Sequence, residues 1–189
     1  MARRPAYYKV EYPNDPRYGL AYAPLDTRII LLPQHGLVTG WTKLTFSLRG
    51  GLLSDYMATN VLVRLCSRKL KTLLDRKASP ADHLQWLPVE INDGATTHSY
   101  DILHFPDASR SILQPISRVE AGLTEVSSRP VFIGDALQGR HIFSYPGAFV
   151  RFFVSDGMKR SIQAHHCTSI RFSKVDLDTD WPTDAAWQK

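Results

Sequence analysis

Between residues 61 and 91 the apolar positions change their period twice. Val61, Leu62, Val63 and Leu65 form a short apolar run that predicts a strand. Ser67 follows at the position of a helix N-cap, where a hydroxyl oxygen accepts a bond from an unpaired backbone N–H. Leu70, Leu73 and Leu74 then recur at helical spacing, which predicts a helix over 68–76 with Arg68, Lys69, Lys71 and Arg76 around its remaining faces. A polar turn at 78–82 leads into a second predicted strand over 83–91.

The same succession returns near the C-terminus. Residues 149–154 read as a strand, Ser155 as a cap, and Met158 and Ile162 as a sparse apolar face, with Asp156 at the positive end of the helix dipole. Residues 167–172 lead into another strand. An offset of 88 residues superimposes Ser155 on Ser67, Met158 on Leu70, Ile162 on Leu74 and Phe153 on Leu65. Two related strand–helix–strand units are expected, although this supersecondary unit is common enough to recur by chance.

Elsewhere the pattern is weaker. Residues 98–105 suggest a strand carrying Tyr100, Ile102 and His104 on one face, and 129–133 and 141–143 suggest short extended segments. Residues 1–60 are rich in aromatics, Pro and Gly; within them 27–32 and 41–48 read as extended, and the region is expected to form a loosely structured cap packed on the core. After Val175 the chain turns acidic, through Asp176, Asp178, Asp180 and Asp184, interrupted by Trp181 and Trp187. The fold class predicted is α+β, a single domain with a mixed sheet. Its parts are an N-terminal portion (1–60), a core (61–175) and an acidic tail (176–189).

Length and composition fit that reading. The chain has 189 residues, enough to bury a sizeable core without a metal or disulfide. Cys66 and Cys167 form no CxxC pair, so free thiols in a reducing compartment are expected. The N-terminus is basic with no apolar segment after it, which is unlike a signal peptide, and no apolar run is long enough to span a bilayer. A cytoplasmic protein with no membrane partner is expected. The net charge of +5 is uneven, with 13 Lys and Arg against 8 Asp and Glu in residues 1–94 and 10 of each thereafter. Such a bias steers acidic partners, or serves only for solubility. No Arg-rich tract or zinc-finger spacing supports nucleic-acid binding.

Candidate chemistry is sparse. The chain lacks a P-loop, Gly-x-Ser-x-Gly, His-Glu-x-x-His and Gly-x-Gly-x-x-Gly. His165-His166-Cys167 could contribute metal ligands, but imidazoles at a helix C-terminus are the preferred reading. Cys66 could act as a nucleophile with one of the seven histidines, against a buried thiol at the end of a strand. Residues 107–111 gather a carboxylate, hydroxyls and a guanidinium, as a partner site or as a turn held by local bonds. The basic face of the 68–77 helix could meet nucleic acid or simply solvent, and Trp86 and the aromatics of 149–153 could line a pocket or fill the core. No cofactor, metal or catalytic residue is expected.

Several segments, read in order, look familiar: the acid–aromatic pair Asp55-Tyr56, the strand–Ser–helix of 63–74, and Trp86-Leu87-Pro88-Val89 at the end of a strand. Then come a Tyr-containing strand at 100–103, the Asp-plus-Ser segment 107–111, Ile142-Phe143, a second strand–Ser–helix at 152–162, and Ser169-Ile170-Arg171-Phe172. In this order and spacing the chain resembles the eleventh catalogued family of bacterial polymorphic-toxin immunity proteins, over about residues 50–175. Ser169 stands where that family usually has Gly, a departure that bears on a turn. The resemblance implies an immunity protein encoded beside a secreted toxin and acting by binding it, not an enzyme. The expected partner is therefore a cognate toxin effector. An enzyme with an unrecognised site and a nucleic-acid-binding regulator are the alternatives. The +5 charge disfavours a basic nuclease as that toxin. Arg110, Arg129 and Arg140, within the loop-rich 104–147 stretch, are the candidate partner contacts.

Overall fold

The computed structural model describes residues 5–24, 32–113, 130–148 and 150–178. In chain order its strands are β1 (Tyr7–Glu11), β2 (Leu20–Tyr22), β3 (Leu44–Arg49), β4 (Tyr56–Thr59), β5 (Leu65–Ser67), β6 (Gln85–Asn92) and β7 (Thr97–His104), followed by β8 (Val131–Phe132), β9 (Ile142–Phe143), β10 (Phe152–Ser155), β11 (Arg171–Lys174) and β12 (Asp176–Leu177). Helix α1 (Arg68–Lys77) lies between β5 and β6, and α2 (Asp156–Ala164) between β10 and β11. This is the α+β class expected, as one domain.

The strands form two main layers. Six close a barrel in the order β2-β3-β6-β7-β5-β4, and four form a sheet ordered β11-β1-β10-β9. Strand periodicity explains why each layer has two buried faces. In β4, Met57 belongs to the barrel interior and Tyr56 to the layer outside it; in β5, Leu65 and Cys66 divide in the same way. Leu87, Val89 and Ile91 of β6, with Tyr100 and Ile102 of β7, complete the interior. In the four-stranded sheet, Phe152 and Val154 of β10 face the same intermediate layer as Tyr56, while Phe153 joins Tyr7, Phe132, Phe143 and Tyr145 on the far side.

The intermediate layer is made by the helices. Leu70, Leu73 and Leu74 of α1 and Met158 and Ile162 of α2 are buried in one cluster with Val10, Leu103, Phe105 and Ile142, and the helices touch. Each leucine removed from water contributes about 1.5–3 kcal/mol. Ser67 and Ser155 cap their helices at identical backbone angles, φ −65° and ψ 161°, and accept from Leu70 N and Met158 N. The apolar face that predicted each helix is the face that it buries.

The two units share a topology as well as a pattern. Strands β5 and β6 both pair antiparallel with β7, so they run parallel with β7 between them. Strands β10 and β11 flank β1 in the same way. The first intervening strand follows its unit, whereas the second comes from the N-terminus. The stretch expected to cap the core thus supplies β1, at the centre of one sheet, and β2, β3 and β4 of the barrel. Residues 27–31 of one expected N-terminal strand lie outside the described residues, as does most of the acidic tail beyond β12. The strand expected over 61–65 begins only at Leu65, because Val61 and Val63 reach the barrel core from a loop.

Ser169, where the resemblance expects Gly, has φ 58°. That left-handed region suits glycine because a Cβ there crowds the backbone. Ser169→Gly should therefore stabilise the fold by about 0.5–1 kcal/mol in urea unfolding, after the added chain entropy of glycine is subtracted. Ser67→Ala should cost about 2 kcal/mol, because Ser67 Oγ also donates to Asp55 at 2.6 Å. A cost of only about 1 kcal/mol, that of a lost cap alone, would refute the additional role of Ser67.

Candidate functional site

Most residues that carry the family-like pattern hold the layers together. Asp55 lies between the units. Its Oδ1 accepts from Ser67 Oγ at 2.6 Å, while Oδ2 accepts from Thr168 N at 2.8 Å, from Thr168 Oγ1 at 3.2 Å and from Lys69 Nζ at 3.2 Å. Asp55 N donates to Thr168 Oγ1. Burial alone would raise the pKa of this carboxyl, but the donors from Ser67, Thr168 and Lys69 outweigh it and hold the pKa below its ordinary value. Next to it, Tyr56 stacks on Tyr12 with centroids 4.3 Å apart, and its hydroxyl donates to Val150 O. A second buried carboxylate, Asp82, accepts from Ser79 N, His141 N and Ile142 N, tying the turn after α1 to β9.

The other sequence candidates resolve individually. His165 accepts from Arg76 Nη2 on Nε2 at 3.0 Å; since a guanidinium only donates, the proton sits on Nδ1, which donates to Ser161 O at 2.8 Å. It therefore terminates α2. Among the described residues no group of three or more His, Cys, Asp or Glu side chains is placed to hold a metal ion. Burial pushes the Cys66 thiol well up and that of Cys167 to about 11, the reverse of nucleophile activation. Ser109 caps a short 3-10 turn at Arg110–Ile112, the local arrangement expected there. On the basic face of α1, Lys69 pairs with Asp55, Lys71 with Asp101 at 2.8 Å, and Arg76 with His165. Cations engaged in this way make a poor phosphate-binding stripe. Trp86 covers α1 and donates from Nε1 to Asp75, whereas Phe152 and Phe153 are fully buried.

Of the three candidate arginines, Arg110 is exposed on its turn. Arg140 pairs with Asp107 at 3.3 Å. Arg129 lies outside the described residues. Beside Asp107 the structure opens a cavity of about 190 Å³, walled by His104, Phe105 and Ala108 at the end of β7, by the turn at 144–147, and by Leu62 and residues 32–34. Much of this wall falls in the 104–147 stretch that the sequence marked.

The cavity contains a residue that the sequence did not mark. Arg64 leaves the loop before β5 and runs between the layers. Its Nε donates to Arg151 O at 2.9 Å, its Nη2 to Ser144 Oγ at 2.8 Å, and its guanidinium lies 5.2 Å from the centre of the Phe105 ring. No carboxylate pairs with it among the described residues, and none of the cavity's lining residues is acidic. Burial lowers the pKa of Arg64, though a guanidinium stays charged even so. His104 is also buried and donates from Nε2 to Gly36 O at 2.8 Å. Its pKa is lowered by burial and by the Arg64 charge, so Arg64 supplies the cavity's positive charge near neutral pH. Tyr145 lines the same wall, and its buried hydroxyl has no hydrogen-bond partner among the described residues. Such a site suits the binding of an anionic group. An isolated arginine in an apolar run such as 61–65 gives no sign of this in sequence, because its neighbours at 105, 144 and 151 are distant along the chain.

The model of the immunity protein family Imm11 matches residues 41–176. No curated protein matches the chain.

The Asp55 clamp yields a pH test. Because its folded pKa is lowered, its contribution is present above the unfolded carboxylate value near about 4 and is lost as the pH falls through the folded value. Asp55→Asn should cost about 2 kcal/mol in urea unfolding at neutral pH, and the gap from the parent should narrow as the pH falls towards about 3. A gap that does not change with pH would show that the carboxylate charge is not what holds Thr168 and Ser67.

Proposed function

The chain belongs to the Imm11 immunity protein family, and on that premise we propose that it neutralises a cognate toxin effector by direct, stable contact. The observation that carries this reading is the family match over the region containing both strand–helix–strand units and most of the Arg64 cavity wall. Inhibition proceeds by occupancy rather than turnover. The raised thiols of Cys66 and Cys167 and the engaged His165 supply no activated nucleophile or base that argues otherwise. The protein acts in the cytoplasm of the producing cell. Among the described residues no helix is long and apolar enough to cross a membrane.

The contact face takes exposed members of the 104–147 stretch, with Arg110 and Arg140 at its polar edge and Arg129 as a further contact. A toxin lethal at few copies requires nanomolar affinity or better, about −12 kcal/mol, and an interface of about 1,600 Å².

Co-expression with the toxin encoded beside this protein should restore growth, and calorimetry on the purified pair should show a stoichiometric complex. Arg110→Ala and Arg140→Ala should mainly slow association and reduce its salt dependence, the behaviour of charges at an interface rim. Rescue without a complex would replace inhibition by enzymatic repair of the toxin's damage. Absence of both would remove the toxin-binding reading.

A further inference from the structure

We propose that the Arg64 cavity is a carboxylate receptor, and that its occupant is the side chain of an Asp or Glu on the toxin, presented beside an apolar residue. The proposal rests on the toxin-binding reading and names the chemistry of its anchor.

Three observations support it. First, Arg64 is a largely enclosed guanidinium without an acidic partner among the described residues. A charge removed from water in this way is costly unless paired. The five N–H groups of a guanidinium form a planar fork, and two of them are engaged, with Arg151 O and Ser144 Oγ. The other three have no hydrogen-bond partner among the described residues, and the residue keeps partial exposure where it lines the cavity. A carboxylate is the group that matches such a fork with two parallel hydrogen bonds.

Second, the arginine is held in place. Nε and Nη2 are fixed by a backbone carbonyl and by Ser144, whose own Oγ donates to the same Arg151 O at 3.1 Å. The Phe105 ring lies against the guanidinium. Little rotamer entropy is left to lose when an anion arrives.

Third, the mouth is apolar. Leu62 lines the cavity and is 51% exposed, and Leu32, Pro33 and Pro146 share its wall. An acidic side chain entering the cavity would bring its neighbouring residue onto these leucines, which would seal the ion pair from water. A charged anchor within an apolar surround is how a few residues come to dominate an interface. The positive net charge agrees in sign with an acidic partner surface.

The experiment compares the full chain with Arg64→Met and Arg64→Lys in two arms. In the first, sodium acetate is titrated at constant ionic strength against chloride, and the backbone amide resonances of Phe105, Ser144 and Tyr145, which line the cavity in parent and variants alike, are followed by NMR. The parent should show a saturable shift at roughly millimolar acetate or above, and Arg64→Lys should lose most of the affinity with the fork. In the second, calorimetry measures the complex with the toxin encoded beside this protein. Arg64→Met should weaken it by about 30-fold or more, and Arg64→Lys by less. If Arg64→Met does not fold, Arg64→Lys carries both arms, and an unchanged affinity in that variant overturns the proposal. An acetate response with an unchanged complex also overturns it, since the cavity then takes a free carboxylate and is not the toxin's anchor. No acetate response and no effect on the complex overturns it entirely. Failure of the parent to bind the toxin at all defeats the toxin-binding reading itself, which separates that failure from one confined to Arg64.

Discussion

The carboxylate of Asp55 is the point on which the arrangement of layers depends. It sits at the start of β4 in the barrel, holds the cap residue of α1, and receives both donors of Thr168 in the turn that enters β11 of the other sheet. Its bonds therefore connect three pieces of chain that hydrophobic burial brings close but does not align. Burial has no direction, so the two helices could slide within their shared layer at little cost. A charged group bound to fixed donors cannot slide, since each lost bond leaves a desolvated charge or a bare N–H. Asp82 repeats this device at the other end of α1, against β9.

Arg64 is the converse case. Asp55 is a buried charge provided with donors, whereas Arg64 is an enclosed charge provided with neutral acceptors and no counter-ion among the described residues. A protein selected for stability alone would gain by replacing it with an apolar side chain of similar length. The surrounding fold tolerates the cost, with Phe105, Ser144 and the Arg151 carbonyl arranged about the guanidinium. The cavity also lies where the clusters meet. Phe105 belongs to the helical layer, Tyr145 to the aromatic cluster behind the small sheet, and Leu32 packs on the barrel interior. An anchor seated there is held by every part of the core, as a site for tight binding requires.

The chain's own pattern specified the local elements well. Both helices, both serine caps and the strands at β6 and β7 were legible because each depends on residues within a few positions of one another: a hydroxyl three residues before the N–H it receives, leucines one turn apart, alternating residues on one strand. The family-like order of these elements was legible for the same reason. The left-handed turn at Ser169 was marked only by the resemblance, where a glycine is usual.

What the sequence left open was decided at long range. Nothing near residues 7–11 indicates that this strand will lie between β10 and β11 some 150 residues later, since an alternating segment satisfies its hydrogen bonds equally well at an edge or in a centre. Whether the six barrel strands close, and in which order, follows from β4 returning to β2 rather than from any strand alone. Arg64 shows the limit most plainly. In sequence it is one cation in an apolar run; as part of a cavity it is defined by Phe105, Ser144 and Arg151, which only the packing of two sheets about two helices brings within reach. Local periodicity fixes which face of an element is buried, but the identity of its neighbours is set by how all the buried faces are covered at once.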